Sequence, residues 1–359
     1  MLKSPLTLKK LEEQAALAVK DLLEHVPALQ VHGVELTNGP DVGVDIVARF
    51  AHHSRQHLLA CEVKSMGQPR HVRAALLQLQ RAAGNFSPRA TPVFIAPFLS
   101  QEAQALCREY EVGYLDLMGN ARIALDGIYI ERQVADKPRA FQRSFKSVFK
   151  PKSAQVLRIL LRDPVRAWKV VDLAQASAVS LGHVSNVRTE LVDREWAEVT
   201  DDGLRLARPD DLLDAWREVY ESPKGERLTF YTTLHGSILE SATREVLNVN
   251  SNAPRSVFAS FSAAQWLAPY GRVSTQYFYA DDAGAKRLQD SLKLSPATAG
   301  SNVVITVLGE EGPFLDTIAP APGIVCTSPV QTYLDLAIAG ERGAEAADHL
   351  RKERLSWQT

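Results

Sequence analysis

Residues 170–191 carry the sequence VVDLAQASAVSLGHVSNVRTEL, which is typical of two short helices joined by a tight turn. The turn is predicted at Ser177-Ala178-Val179. Ser180 has the short hydroxyl side chain that caps helix N-termini, so the second helix is predicted to start there and to run to about Asp193. Three apolar residues at three- and four-residue spacing predict the buried face of this helix: Val184, Val187 and Leu191.

The opposite face of the same helix is small and polar, and it carries groups that can hydrogen-bond to base edges. A helix of this kind after a tight turn is typical of the element that enters the DNA major groove. A helix used only for protein contacts is the alternative. The residues predicted to contact DNA from this helix are Ser180, His183, Ser185, Asn186, Arg188 and Thr189.

The flanking sequence completes a small domain. An apolar stripe over residues 156–161 predicts a preceding helix that stops near Asp163-Pro164, and two short apolar strands follow around Asp201-Asp202-Gly203. Three helices and a hairpin predict a winged helix-turn-helix over residues 153–220. The arrangement resembles bacterial winged-helix regulators, which implies DNA binding. Asp201 and Asp202 would repel phosphate, so contacts to the DNA backbone are instead predicted for Lys146, Lys150, Lys169, Arg188 and Arg194.

The charge distribution supports a contact with nucleic acid in the middle of the chain. Residues 1–136 carry 14 basic and 15 acidic side chains (net −1), residues 137–194 carry 12 and 4 (net +8), and residues 195–359 carry 15 and 23 (net −8). Residues 137–152 form a basic connector with six basic side chains and no acidic one. Its three phenylalanines are predicted to pack rather than to stack on bases: Phe141, Phe145 and Phe149.

Residues 1–136 alternate helical and strand patterns in the order helix, three strands, helix, strand, helix, strand, which predicts an α/β domain. Asp45 lies on one predicted strand, and Glu62-Val63-Lys64 ends the next. Strand side chains alternate, so Glu62 and Lys64 share a face, and Asp45 converges with Glu62 if the two strands pair. Two carboxylates so placed can hold Mg²⁺.

This part of the chain resembles the PD-(D/E)xK restriction-endonuclease core over about residues 8–132. The resemblance implies a mixed sheet with flanking helices, Asp45 and Glu62 as metal ligands, and Lys64 as the third catalytic residue of an active nuclease. Glu13 on the opening helix is a candidate accessory carboxylate. Such cores also serve as inert binding scaffolds, so whether the domain is an enzyme stays open.

Residues 221–359 mix helices and strands and predict an α+β domain. Together with the winged helix, they resemble AbiEi-type antitoxins of type IV toxin–antitoxin (abortive infection) systems, on residues 260–264 and on a strand-to-helix passage at 325–336 in which Ser328 caps the helix and Pro329 follows. The resemblance implies a repressor of its own operon that counteracts a nucleotidyltransferase-like toxin. Leu234-His235-Gly236-Ser237 is similar to a nucleotidyltransferase turn, but the next strand lacks paired aspartates, so the domain is predicted to be non-catalytic.

The whole chain is therefore expected to be a multidomain α/β protein of the cytoplasm. Its apolar runs are shorter than a membrane span, and its three cysteines show no CxxC pair. The first hypothesis is a regulator that binds double-stranded DNA through the winged helix and acts with a toxin as functional partner. The second is a Mg²⁺-dependent endonuclease targeted by that winged helix, and the third is a protein-interaction module. The oligomeric state has no signature in the sequence.

Overall fold

A computed structural model describes residues 8–37, 43–134, 146–247, 255–271 and 273–357. The chain divides into two compact units, the first made of residues 1–145 and 192–195 and the second of residues 146–191 and 196–359. The second unit contains the predicted winged helix, apart from residues 192–195, and the predicted C-terminal domain. The finer division at residues 136, 152 and 220 stays a prediction. No helix in the described ranges has the length and apolar character needed to cross a membrane.

The first unit follows the predicted order of elements. Its elements are α1 (Leu8–Glu24), β1 (Gln30–Leu36), β2 (Ile46–His52), β3 (Arg55–Val63), α2 (Pro69–Gly84), β4 (Thr91–Ala96), α3 (Gln101–Glu109), β5 (Gly113–Asp116), β6 (Ala121–Leu125) and β7 (Ile128–Arg132). The predicted turn at residues 38–40 lies outside the described residues.

The seven strands of this unit form one mixed sheet in the order β1-β2-β3-β4-β5-β6-β7. β3, β4 and β5 are parallel, and the other neighbours are antiparallel. One face packs on α1 through residues such as Leu23 and Phe50, and the other packs on α2 and α3 through residues such as Leu76 and Phe94. The sheet is thus covered on both faces, as its nearly continuous apolar central strands require.

The second unit begins with the segment predicted to be a winged helix. Its elements are α4 (Pro151–Arg162), α5 (Val170–Ser177), α6 (Leu181–Asp193), β8 (Ala197–Thr200), β9 (Gly203–Leu206) and α7 (Pro209–Val219). α5 ends at Ala178, which has a left-handed backbone conformation (φ 52°), and α6 starts three residues later. The predicted turn between the two helices is therefore present.

β8 and β9 pair as a hairpin whose two-residue turn is Asp201-Asp202. Leu204 also exchanges two backbone hydrogen bonds with Trp168, at 2.8 and 2.9 Å, so the chain before α5 joins the hairpin as a third, very short strand. Gly203 makes this approach possible, because its φ is 135° and a Cβ there would lie 2.4 Å from the Trp168 carbonyl oxygen.

The rest of the second unit is a second mixed sheet with helices. Its elements are β10 (Gly225–Tyr231), α8 (Gly236–Leu247), β11 (Ser256–Phe258), α9 (Ser260–Leu267), β12 (Gln276–Ala280), α10 (Asp282–Ser291), β13 (Ser295–Pro296), β14 (Val303–Leu308), α11 (Gly312–Leu315), β15 (Thr317–Ala321), β16 (Ile324–Thr327), α12 (Pro329–Ala337) and α13 (Glu341–Arg354). The strand order is β13-β10-β14-β12-β11-β16-β15.

The strand-to-helix passage predicted at residues 325–336 is confirmed. β16 leads directly into α12, where the Ser328 hydroxyl accepts a hydrogen bond from the Gln331 N–H at 3.2 Å and Pro329 occupies the first turn. β10 and α10 are elements of this unit for which the sequence pattern gave no prediction. β10 alternates exposed and half-buried residues at one side of the sheet, and α10 is rich in polar residues, so neither has a strong apolar pattern.

Candidate nucleic-acid interface and carboxylate pair

Helix α6 separates an apolar face from a polar one, as predicted. Val184, Val187 and Leu191 are buried. The helix is capped as expected, since the Ser180 hydroxyl accepts a hydrogen bond from the His183 N–H at 3.4 Å. The polar residues that remain exposed along α6 and its cap are Ser180, Ser185, Asn186 and Thr189, with Arg188 half-buried.

Two of the residues predicted to contact DNA do not lie on this exposed face. The His183 ring is half-buried and is 3.0 Å from the Ser153 hydroxyl on α4, so one ring nitrogen is engaged inside the unit. Arg194, just beyond α6, is only 6% exposed. Phosphate contact needs a guanidinium that reaches solvent. The sequence prediction places Arg194 among the cations that contact the DNA backbone in place of the acidic hairpin.

The three lysines that are predicted to contact the DNA backbone have exposed side chains. Lys150 and Lys169 occupy the N-cap positions of α4 and α5, and both are exposed. Lys146 is exposed too, but its ammonium is 3.0 Å from the Glu221 carboxylate. That exposed ion pair is weak and can exchange for a phosphate. The part of the connector at residues 137–145 lies outside the described residues.

Phe149 of the basic connector packs inside the second unit. Its ring stacks on Trp216 with centroids 5.8 Å apart and also lies 6.2 Å from Trp196. This agrees with the prediction that the connector phenylalanines pack rather than stack on bases; Phe141 and Phe145 lie outside the described residues.

The hairpin presents negative charge at its tip. Asp201 and Asp202 are exposed, and the only basic side chain on its two strands, Arg205, pairs with Glu198 across the hairpin. A tip of this kind repels phosphate, so a DNA contact through α6 and the lysines, rather than through the hairpin, stays the prediction.

In the first unit, the strands that carry Asp45 and Glu62 are neighbours, as the carboxylate prediction requires. β2 and β3 are antiparallel with Ile46 opposite Cys61, which places Asp45 and Glu62 one step beyond the last paired residues. The Asp45 carboxylate accepts a 2.7 Å hydrogen bond from the Val63 N–H, so it lies against the backbone beside Glu62.

Glu62 is nearly buried, with 7% of its surface exposed. One of its carboxylate oxygens is 2.5 Å from the Lys64 ammonium. The other is buried and has no hydrogen-bond partner among the described residues. A buried carboxylate oxygen without a donor is costly, so this oxygen is suited to a cation or a donor from a bound molecule.

Glu12 on α1 lies close enough to the carboxylate pair for the charge of Asp45 to act on it, and the accessory role of Glu13 stays a prediction. Burial, and then the charge of Asp45, raise the pKa of Glu12, whereas Glu13 is exposed. Mg²⁺ is commonly held by one or two protein carboxylates together with substrate phosphates, so Asp45 and Glu62 fit it as a pair. Within the described ranges, no cluster of three or more potential metal ligands is found.

Residues 117–120 form the turn between β5 and β6. Asp116 is fully buried and accepts hydrogen bonds from the N–H groups of Leu99, Met118 and Asn120 at 2.9–3.2 Å, and also from the Asn120 amide. Burial raises the pKa of Asp116, and these hydrogen bonds oppose the shift. These hydrogen bonds hold the link between β5 and β6 and tie it to the loop after β4, so the observed role of Asp116 is structural.

The first aspartate in the sequence after the nucleotidyltransferase-like turn, Asp281, is also used structurally. Asp281 caps α10 by accepting a 2.7 Å hydrogen bond from the Gly284 N–H, and its other oxygen accepts one from the Arg255 N–H. The absence of paired aspartates on the strand after residues 234–237 therefore stays the reason for predicting a non-catalytic domain.

A buried polar cluster in the second unit was missed by sequence reasoning. Arg158 on α4 donates to the Gln331 amide oxygen at 2.8 Å. The Gln331 amide donates to the Tyr220 hydroxyl and to Asp335, and Tyr220 donates to the same Asp335 oxygen. Burial raises the pKa of Asp335 to about 6. A possible signal was the pair Gln331 and Asp335, polar residues four apart in an otherwise apolar helix.

Comparison with known families supports one of the predicted resemblances. Residues 205–356 match a family described as a transcriptional regulator, AbiEi antitoxin, of type IV toxin–antitoxin systems. The match covers β9 to the end of α13, which is less than half of the chain, and it does not extend to the first unit or to α6. No curated protein and no solved structure gives a match.

Proposed function

We propose that this protein is a DNA-binding transcriptional regulator of the antitoxin type, in which residues 153–220 form a winged helix-turn-helix and α6 reads an operator. The observation that carries the proposal is α6 itself. Its apolar face is buried, and its exposed face presents hydroxyl and amide groups right after a tight turn. The similarity of residues 205–356 to a family of transcriptional regulators supports the same function.

In this proposal the exposed groups divide into two sets. Ser185, Asn186 and Arg188 contact base edges, and Lys146, Lys150 and Lys169 contact phosphates. The C-terminal sheet then serves the antitoxin function, counteracting a nucleotidyltransferase-like toxin in the reducing cytoplasm. The free, buried state of all three cysteines is compatible with that compartment.

A promoter-reporter strain tests this proposal with the full-length chain. The double variant Ser185→Glu/Asn186→Asp places two negative charges on the exposed face of α6 and should abolish repression of the protein's own promoter. Lys286→Glu on α10 changes the net charge by the same amount at an exposed position and should leave repression unchanged. Loss of repression with Lys286→Glu, or full repression with the α6 variant, would contradict the proposal if both proteins fold by circular dichroism.

A second candidate function is a Mg²⁺-dependent endonuclease with Asp45 and Glu62 as metal ligands and Lys64 as the third catalytic residue. The observation that favours it is the buried, unpartnered Glu62 oxygen. The bound metal would polarise a phosphate and lower the pKa of a water molecule. The Lys64 ammonium would stabilise negative charge on the phosphate, while Asp45 and Glu62 would position the cation.

Calorimetry with Mn²⁺ tests the metal site, and the reporter separates the two functions. Glu62→Gln should remove Mn²⁺ binding, whereas Lys64→Ala should leave it nearly intact because lysine is not a ligand. The absence of heat with the wild-type protein would reject this candidate. In the reporter strain, the regulator proposal expects Asp45→Asn/Glu62→Gln to keep repression, and the nuclease candidate expects this pair to be essential to the phenotype.

A further inference from the structure

A cavity of about 600 Å³ lies in the second unit, bordered by α4, the end of α7 and the loop after β14. Its volume is in the range of small-molecule sites. The aromatic rings of Phe149 and Trp216 line one part, the Arg158 side chain lines another, and Lys150, Lys224 and Glu310 are also at its boundary. The cavity therefore combines a flat apolar surface with charged groups.

Arg158 is the charged group that sets the chemistry of this cavity. Its surface is only 4% exposed, and burial lowers the pKa of its guanidinium. A guanidinium has five N–H donors. In the described parts of the chain, the only hydrogen bond from Arg158 is the one to Gln331, and Nε is buried without a partner. A buried cation with most of its donors unused is costly unless an anion joins it.

The protein's own carboxylates do not fill this role. Asp335 already accepts hydrogen bonds from Tyr220 and Gln331, so its charge acts on Arg158 only from a distance. Burial raises the pKa of Glu310, whose charge acts on Arg158. Among the described residues, neither acid forms an ion pair with Arg158 within 4 Å, and the side-chain partner of Arg158 is Gln331.

We propose that this cavity binds a small organic carboxylate with an apolar, preferably flat, body. The carboxylate pairs with Arg158, because a guanidinium edge offers parallel N–H donors that match the two oxygens of a carboxylate. The apolar body packs against the half-buried ring of Phe149, which the buried Trp216 supports from its other side by stacking. Arg158 is the buried cation of the lining, whereas Lys146, Lys150 and Lys224 are exposed and screened by water. A single negative charge therefore matches Arg158, and a doubly charged phosphate would bring its second charge close to Glu310.

Calorimetry on the full-length protein with naphthoate, naphthamide and naphthyl phosphate tests the proposal. Naphthoate should bind saturably, with a Kd below about 10 mM. Naphthamide has the same shape without the charge and should bind at least about tenfold more weakly, the factor that corresponds to one lost charge-assisted hydrogen bond. Naphthyl phosphate should also bind more weakly than naphthoate.

Substitutions test whether naphthoate binds in this cavity. Arg158→Met should weaken naphthoate binding by at least about tenfold, and Arg342→Met, an exposed arginine on α13, should leave it unchanged. If Arg158→Met does not fold, Lys224→Met, an exposed lysine at the boundary of the cavity, should weaken binding by about threefold through loss of a charge near the ligand.

The proposal is overturned if wild-type protein shows no saturable naphthoate binding, or if naphthamide binds as tightly as naphthoate. It is also overturned if neither Arg158→Met nor Lys224→Met changes the affinity. Tighter binding of naphthyl phosphate than of naphthoate would reject the carboxylate as the preferred ligand. None of these outcomes depends on DNA, so they are separate from the test of the regulator proposal.

Discussion

The Asp45 carboxylate accepts a hydrogen bond from the backbone N–H of Val63 at 2.7 Å, and the side chains on either side of Val63 in sequence are Glu62 and Lys64. Asp45 thereby holds the end of β3, next to the ion pair that Glu62 and Lys64 form in the candidate metal site. A substitution at Asp45 consequently changes stability as well as chemistry, and the two effects can be separated.

Asp45→Ala should lower the free energy of unfolding by about 1–3 kcal/mol, because the part-buried Val63 N–H loses its acceptor. Asp45→Asn keeps an acceptor oxygen and should cost less, although it removes the charge a metal needs. Urea unfolding measures both, with Glu13→Ala as an exposed control expected within about 0.5 kcal/mol of wild type. Equal losses for Ala and Asn would show that the hydrogen bond is not what stabilises this strand end.

Gly203→Ala should lower the free energy of unfolding by more than about 2 kcal/mol, because the φ of 135° is unfavourable for alanine and its Cβ would clash with the Trp168 carbonyl. Gly182→Ala is the matched control. No atom lies within 4 Å of a Cβ there, and alanine is the better helix former by up to about 1 kcal/mol, so this change should stabilise. Thermal melts distinguish the two, and similar shifts would contradict the tight approach of Trp168 to the hairpin.

Stability should depend on pH through Asp335. Its pKa is about 6 in the folded protein against 3.8 for an unperturbed aspartate, so the folded state holds the proton more tightly. Stability therefore falls as the pH rises from about 4 to about 6, by an amount on the order of 3 kcal/mol. Asp335→Asn should flatten this fall, whereas Asp202→Asn, at the exposed hairpin tip, should not. Identical slopes for wild type and Asp335→Asn between those pH values would reject the assignment.

DNA affinity of the full-length chain should fall steeply with salt, since each phosphate contact releases counterions. Lys169→Ala should reduce the slope of log affinity against log salt by about one and weaken binding to all sequences alike. Asn186→Ala should instead reduce the preference for the operator and leave the slope unchanged. Fluorescence anisotropy over a salt series measures both. A Lys169→Ala slope equal to that of wild type would remove this lysine from the proposed interface.

The elements of the chain were largely predictable from local pattern. Two signals were strong: the alternation of strands and helices in residues 8–132, and the spacing of Val184, Val187 and Leu191. A helix or strand that buries one face must repeat apolar residues at the period of that element, so the pattern is visible in the sequence. β10 and α10 lacked such a signal, since β10 alternates only weakly and α10 has few apolar residues.

Details of the candidate sites were harder to predict, because they depend on contacts distant in sequence. Arg158 and Gln331 are 173 residues apart, and nothing local to either one indicates that they meet. Arginine is usually a surface residue, but Arg194 is buried. Whether Glu12 or Glu13 lies nearer to Asp45 depends on the rotation of α1 over the sheet, which a one-residue difference in sequence does not reveal.

The polar cluster around Gln331 has a consequence for anyone who cuts this chain into pieces. The natural place to divide it, after Tyr220, separates Arg158 and Tyr220 from Gln331 and Asp335. A fragment that ends there exposes an unpaired arginine, and the complementary fragment exposes an amide and a carboxyl that normally have partners. Chimaeras that exchange the part proposed to bind DNA should therefore take all four of these residues from the same parent protein.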